Sequence, residues 1–201
     1  MAIEWNSRVN RAFILRDALD LTGVRLADLI GWPDARRRIE VREASMARRR
    51  GGASGPVAPS LLGQRIDPHS EQSNDVDVYL EIPIWEAAVL VHLREYDQRS
   101  EDPETGMFAW VTAERTNMSQ VLAIAATIAL AECGDGEVID EYGYLSDVRL
   151  NPPAELFERL RVTAPQESLD AAVDAVLAKT RLKRRFPRSD TPPEAPPKGV
   201  A

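Results

Sequence analysis

The side chains best suited to chemistry crowd one stretch: Glu132, Asp135, Glu137, Asp140, Glu141 and Asp147. Carboxylates in pairs can bind Mg²⁺ or Ca²⁺, or share general acid–base work. Their spacing departs from the helix–loop–helix calcium pattern, and no lysine or histidine stands near enough in sequence to complete a catalytic set. They therefore read as a solvated or partner-binding edge. The histidines, His69 and His92, are separated; the first sits beside Asp67 and Pro68, the second between Val91 and Leu93. They read as one exposed and one half-buried side chain. Ser60, Ser119 and Cys133 lack a nucleophile-elbow or Cys–His context. Gly51, Gly52, Gly55 and Gly63 do not form a phosphate loop, and no G-x-G-x-x-G follows a strand. The expectation is a non-enzymatic chain with no catalytic residue, no metal site and no cofactor; an enzyme whose carboxylates and histidines converge only in the folded chain is the third reading.

Basic residues suggest a different chemistry. Arg36, Arg37 and Arg38 form one triplet and Arg48, Arg49 and Arg50 another, with Lys183, Arg184 and Arg185 as a third cluster. Such groups can neutralise phosphates, which makes a nucleic-acid-associated or regulatory protein the alternative reading. No recognised nucleic-acid-binding module accompanies them. The charge layout opposes it too. Residues 1–65 hold 12 basic and 7 acidic side chains, residues 66–165 hold 6 and 20, and residues 166–201 hold 7 and 5. An acidic middle repels nucleic acid and anionic membranes and steers basic proteins toward itself.

The 201 residues allow one domain with appendages. A single cysteine, Cys133, excludes an internal disulfide. The opening MAIEWNSRVNR lacks the marks of a secretory signal, and Val121 to Ala131 is about half a bilayer span, so a cytoplasmic location without membrane contact is expected.

The elements that would position these residues follow from periodicity. Phe13 to Leu15 reads as a short strand. Leu21, Val24, Leu26, Leu29 and Ile30 share one helical face, with Thr22 as a possible N-cap and Gly31 and Pro33 as the stop. Arg36 to Glu43 alternates into a charged edge strand. Residues 50–75 read as a flexible connector. Val76 to Ile82 reads as an edge strand bent at Pro83. Ala87 to Tyr96 and Met107 to Glu114 make a strand pair joined through Asp97–Gly106, with Phe108, Trp110 and Thr112 opposite Ala109 and Val111. From Asn117 or Ser119 to Cys133 an Ala-rich helix is apolar on nearly every side and must be buried. Glu137 to Leu145 reads as a further strand and Ala154 to Leu160 as a short helix. Gln166 to Arg185 reads as an amphipathic helix with a basic end, and the tail from Pro187 as disordered. The fold class is α+β, an antiparallel-rich sheet with helices packed on one face. The organisation is 1–49 as an N-terminal segment, 50–75 as connector, 76–165 as acidic core, 166–186 as terminal helix and 187–201 as tail.

Residues 108–145 resemble a segment of the immunity proteins of bacterial polymorphic toxin systems. The Trp-bearing strand Phe108-Ala-Trp110-Val-Thr112, the Ala- and Leu-rich helix Val121 to Glu132, a Gly-acidic turn and a strand with Asp140 carry the likeness. It implies a protein that occludes a toxin's site rather than one performing chemistry. The partner would be a basic protein, met by the acidic 76–147 module. The residues expected to meet it are Trp85, Glu137, Asp140, Glu141, Tyr142, Tyr144 and Asp147, with aromatic anchors among charges. Trp110 is the aromatic expected in the core.

Overall fold

Ile3–Val9 (β1) buries Trp5, Ser7 and Val9 on one face and turns Glu4, Asn6 and Arg8 to the other, the alternation of a half-buried strand. The computed structural model describes residues 3–43, 56–70, 76–95 and 107–182. β1 is followed by Phe13–Ile14 (β2) and Leu15–Ile30 (α1). The helix begins well before Thr22, which is no cap. Its hydroxyl donates to the Ala18 carbonyl at 2.8 Å inside the helix. Gly31 closes α1 at φ +67°, a left-handed conformation that glycine adopts without strain, and its N–H donates to Ala27. A 3₁₀ turn, Pro33–Arg37, leads to Glu40–Glu43 (β3).

Within the expected connector, residues 56–70 form a helical turn, Pro59–Leu62 (α2), and a short strand, Arg65–Ile66 (β4), paired with β2. The physical reason is Ile66, which is fully buried, with Leu61 and Leu62 packed against the core beside it. The rest of the connector lies outside the described residues, as do Arg48–Arg50, the 97–106 connection, Lys183–Arg185 and the tail from 187.

Val76–Ile82 (β5), Ala87–Glu95 (β6) and Met107–Ala113 (β7) form an antiparallel meander. The full sheet is antiparallel in the order β3-β5-β6-β7-β1-β8-β9, with Val138–Ile139 as β8 and Leu150–Asn151 as β9. β5 is thus an interior strand, and β3 takes the edge. Pro83 falls in the 3₁₀ turn after β5, where it removes no ladder hydrogen bond.

Asn117–Cys133 (α3) is surrounded by β1, β6, β7 and β8 and by α1, with Pro153–Leu160 (α4) and Leu169–Ala178 (α5) against it as well. That setting explains a helix apolar on every side: residues 118–131 are all buried. Its cap is Thr116, one residue before Asn117, whose hydroxyl accepts the Ser119 N–H at 3.0 Å. Arg25 of α1 ties three helices, donating to Glu132 of α3 at 2.8 Å and lying 4.7 Å above the Phe157 ring of α4.

Two expected elements are shorter than their sequence suggests. The strand expected over 137–145 stops after Ile139, because Asp140 turns the chain. The terminal helix starts at Leu169, capped by Ser168, and ends at Ala178 with Leu169, Val173, Val176 and Leu177 buried. No described helix is long and apolar enough to cross a membrane.

Candidate functional site

The 137–151 segment is the part of the surface that the sequence singled out and the structure builds most firmly. Asp140 is its hub. The residue is only 3% exposed, and its carboxylate accepts three backbone N–H groups: Tyr144 at 2.9 Å, Leu145 at 2.6 Å and Ser146 at 2.9 Å. Its own N–H donates to the Arg149 carbonyl at 2.7 Å. Ser146 Oγ donates to the Val148 carbonyl at 2.6 Å, and Asn151 Nδ2 donates to the same oxygen at 3.0 Å. Gly143 stands at φ +64°, which lets the chain reverse between the two tyrosines. From outside the loop, Arg159 of α4 donates to the Leu145 carbonyl at 2.6 Å, and the Arg181 N–H donates to the Tyr144 carbonyl at 2.6 Å. Backbone groups that would otherwise face water are thus fixed by side chains of the loop and of α4 and by the backbone N–H of Arg181.

What this frame presents is apolar and carboxylate together. Among the described residues four large hydrophobic side chains are exposed, and three of them are here: Tyr142 at 68%, Val148 at 56% and Leu150 at 37%. The fourth, Ile84, lies in the turn after β5. Tyr142 stacks on the half-buried Tyr144, ring centroids 5.6 Å apart and planes 29° from parallel. Glu141 and Asp147 are exposed beside them, Glu137 is half-buried, and the Asp147 carboxylate pairs with the Arg181 guanidinium. Asp140 therefore serves as the internal brace of the loop, because its oxygens are spent on backbone amides.

Trp85 does not belong to this surface. It is 5% exposed, and the Arg38 guanidinium lies 5.0 Å over its ring. The aromatic roles are reversed: Trp110, expected inside, is half-buried on the sheet face away from Ala109 and Val111, which are fully buried. Of the first arginine triplet, Arg36 and Arg37 are exposed, whereas Arg38 is engaged on Trp85. The triplet does not present three equivalent guanidiniums.

The structure brings together one cluster that the sequence reading did not. Across the outer sheet face the register aligns Asp77, His92, Trp110 and Asn6. His92 Nδ1 lies 2.5 Å from Asp77 Oδ1, and Arg94 reaches Asp77 Oδ2 at 3.2 Å. Phe108 and Trp110 stand 5.9 Å apart beside them. One row along, Tyr79, Leu90 and Thr112 line a shallow depression of about 390 Å³. The available signal was the turn at Pro83–Glu86: centring the β5–β6 hairpin there sets Asp77 opposite His92. The Asp77 carboxylate fixes the orientation of the imidazole through Nδ1 and leaves Nε2 for a second partner. Among the described residues its hydrogen bond goes to Asp77, and neither a serine nor a cysteine reaches it. Ser7 lies on the opposite face, where its hydroxyl donates to the Thr127 carbonyl at 2.7 Å.

Cys133, at the end of α3, is half-buried, and burial, with Asp17 and Glu132 adding to it, pushes its thiol above the ordinary value. A thiol so placed is a poor nucleophile. No group of three or more potential metal ligands occurs among the described residues. The fold and this surface define an α+β domain with a braced, aromatic and carboxylate-rich loop at one end of its sheet. No family model matches the chain, and no similar curated protein or solved structure is found.

Proposed function

We propose that this chain is a non-enzymatic protein-binding module that recognises a basic protein through the loop following β8, and that in its most specific form it is an immunity protein occluding a bacterial toxin. The observation that carries the reading is the Asp140-braced loop itself. Tyr142, Val148 and Leu150 are exposed on the same loop as the exposed carboxylates of Glu141 and Asp147, a mixture of apolar and charged side chains that suits a binding epitope. Bracing supports it further, because a loop ordered before binding loses less freedom on association. Exposed carboxylates act mainly on encounter, raising the association rate of a basic partner at low salt.

The test is capture from the native cell at low salt by wild-type protein and by a variant carrying Tyr142→Ala, Glu141→Arg and Asp147→Arg. The reading expects one basic protein, retained in stoichiometric amount, released as salt rises, and inhibited in its own activity by the wild type. The triple variant should retain it at least tenfold less. Equal retention by the variant removes this loop from the interface. Nucleic acid co-purifying in place of a protein would favour the arginine clusters instead.

A further inference from the structure

We infer that the loop is a receptor for an arginine side chain and that Arg181 of this same chain occupies part of it in the free protein, so that a partner must displace Arg181 to bind. This rests on the protein-binding reading above and names the chemistry and the regulation of that site. Arg181 follows α5 and meets the loop twice, its N–H on the Tyr144 carbonyl and its guanidinium on the Asp147 carboxylate. The backbone contact fixes where the side chain starts and leaves the guanidinium free to exchange. Both partners of the ion pair are exposed, and such pairs contribute little net stability, so this one is readily exchanged.

The surroundings suit a guanidinium better than any other cation. Tyr142 is exposed and stacks on Tyr144, leaving a ring face open. The exposed carboxylates of Glu141, its neighbour in sequence, and of Asp147, which already holds the Arg181 guanidinium, are acceptors that suit a planar fork of N–H donors. Val148 and Leu150 provide apolar surface for the aliphatic stem. Arg149 is the one basic side chain inside the loop, and it too is exposed. The occupant is therefore an arginine-bearing basic segment, and the intramolecular Arg181 is its competitor. In the sequence Arg181 is followed closely by Lys183, Arg184 and Arg185.

The experiment is a low-salt titration of a fluorescently labelled hexa-arginine peptide with the full chain, reading anisotropy. Arg181→Ala should bind the peptide about two- to fivefold more tightly than wild type, the range that the loss of one exposed competing ion pair allows. Arg181→Gln, which keeps the stem and removes the charge, should reproduce that gain; Asp147→Asn should weaken binding, and adding Arg181→Ala to Asp147→Asn should bring no further gain. Unchanged thermal melting of the arginine variants establishes that their gain reflects the site. Peptide binding by Arg181→Ala that is equal to or weaker than wild type overturns the competitor role. In that case Asp147→Asn and Tyr142→Ala separate two failures. If they still weaken binding, the loop receives cations and only the role of Arg181 is wrong; if they change nothing, the protein-binding reading of the loop fails with it.

Discussion

At the scale of single residues, Asp140 decides the behaviour of the candidate surface without touching anything outside it. A carboxylate that accepts three backbone N–H groups while almost fully buried is a charged acceptor whose removal strands three donors. Asp140→Ala should lower the unfolding free energy by about 3 kcal/mol, read by urea denaturation, and should speed hydrogen exchange at Tyr144, Leu145 and Ser146 more than elsewhere. Loss of exchange protection spread evenly over the core would contradict a local brace. The sequence marked Asp140 as one of several acidic residues but could not separate it from Glu141. In a strand the two would point to opposite faces, and only the turn that Asp140 itself creates makes one internal and the other exposed. Trp85 and Trp110 show the same limit. Composition ranks tryptophan as an anchor or a core residue, and which of the two it becomes depends on the pairing of neighbouring strands.

At the scale of elements, α3 was the most legible part of the chain and the short strands the least. Apolarity on every side can be satisfied only by burial on every side, so its place at the centre follows from its sequence. β1, by contrast, has only two apolar residues on the inward face of its described part, Trp5 and Val9, with Ser7 between them satisfied by the Thr127 carbonyl. No local pattern announces a hydroxyl whose partner lies in a distant helix. The contact between β1 and the segment after α3 also explains Gly136. A Cβ there would stand 1.9 Å from the Arg8 carbonyl oxygen, inside the backbone of β1. Gly136→Ala should therefore destabilise the protein by at least about 3 kcal/mol or prevent it from accumulating folded, a large effect for so small a side chain. Gly63→Ala, where the nearest atom would be 3.6 Å away, is the control and should change the urea midpoint little.

At the scale of the whole molecule, β1 and β3 share one sheet with the meander and with β8 and β9, so the early and late parts of the chain stabilise one core. Trp5, Trp32 and Trp85 are buried in that core and report on different parts of it. Tryptophan fluorescence and far-ultraviolet circular dichroism should lose signal at the same urea concentration in one transition, whereas two separated midpoints would show that the parts unfold independently. The antiparallel α+β arrangement itself was readable from the order of strand, hairpin, strand, helix and strand between residues 76 and 145. The surface was less so, because register decides what each face displays and register emerges only when the strands pair. The position of β1 also carries a consequence for biosynthesis. Its neighbours are β7 and β8, and the Ser7 hydroxyl waits for a carbonyl 120 positions downstream. A ribosome must therefore release residues through Ile139 before the sheet can close around β1, and until then Trp5 and Val9 travel uncovered, open to chaperones and to every other nascent chain nearby.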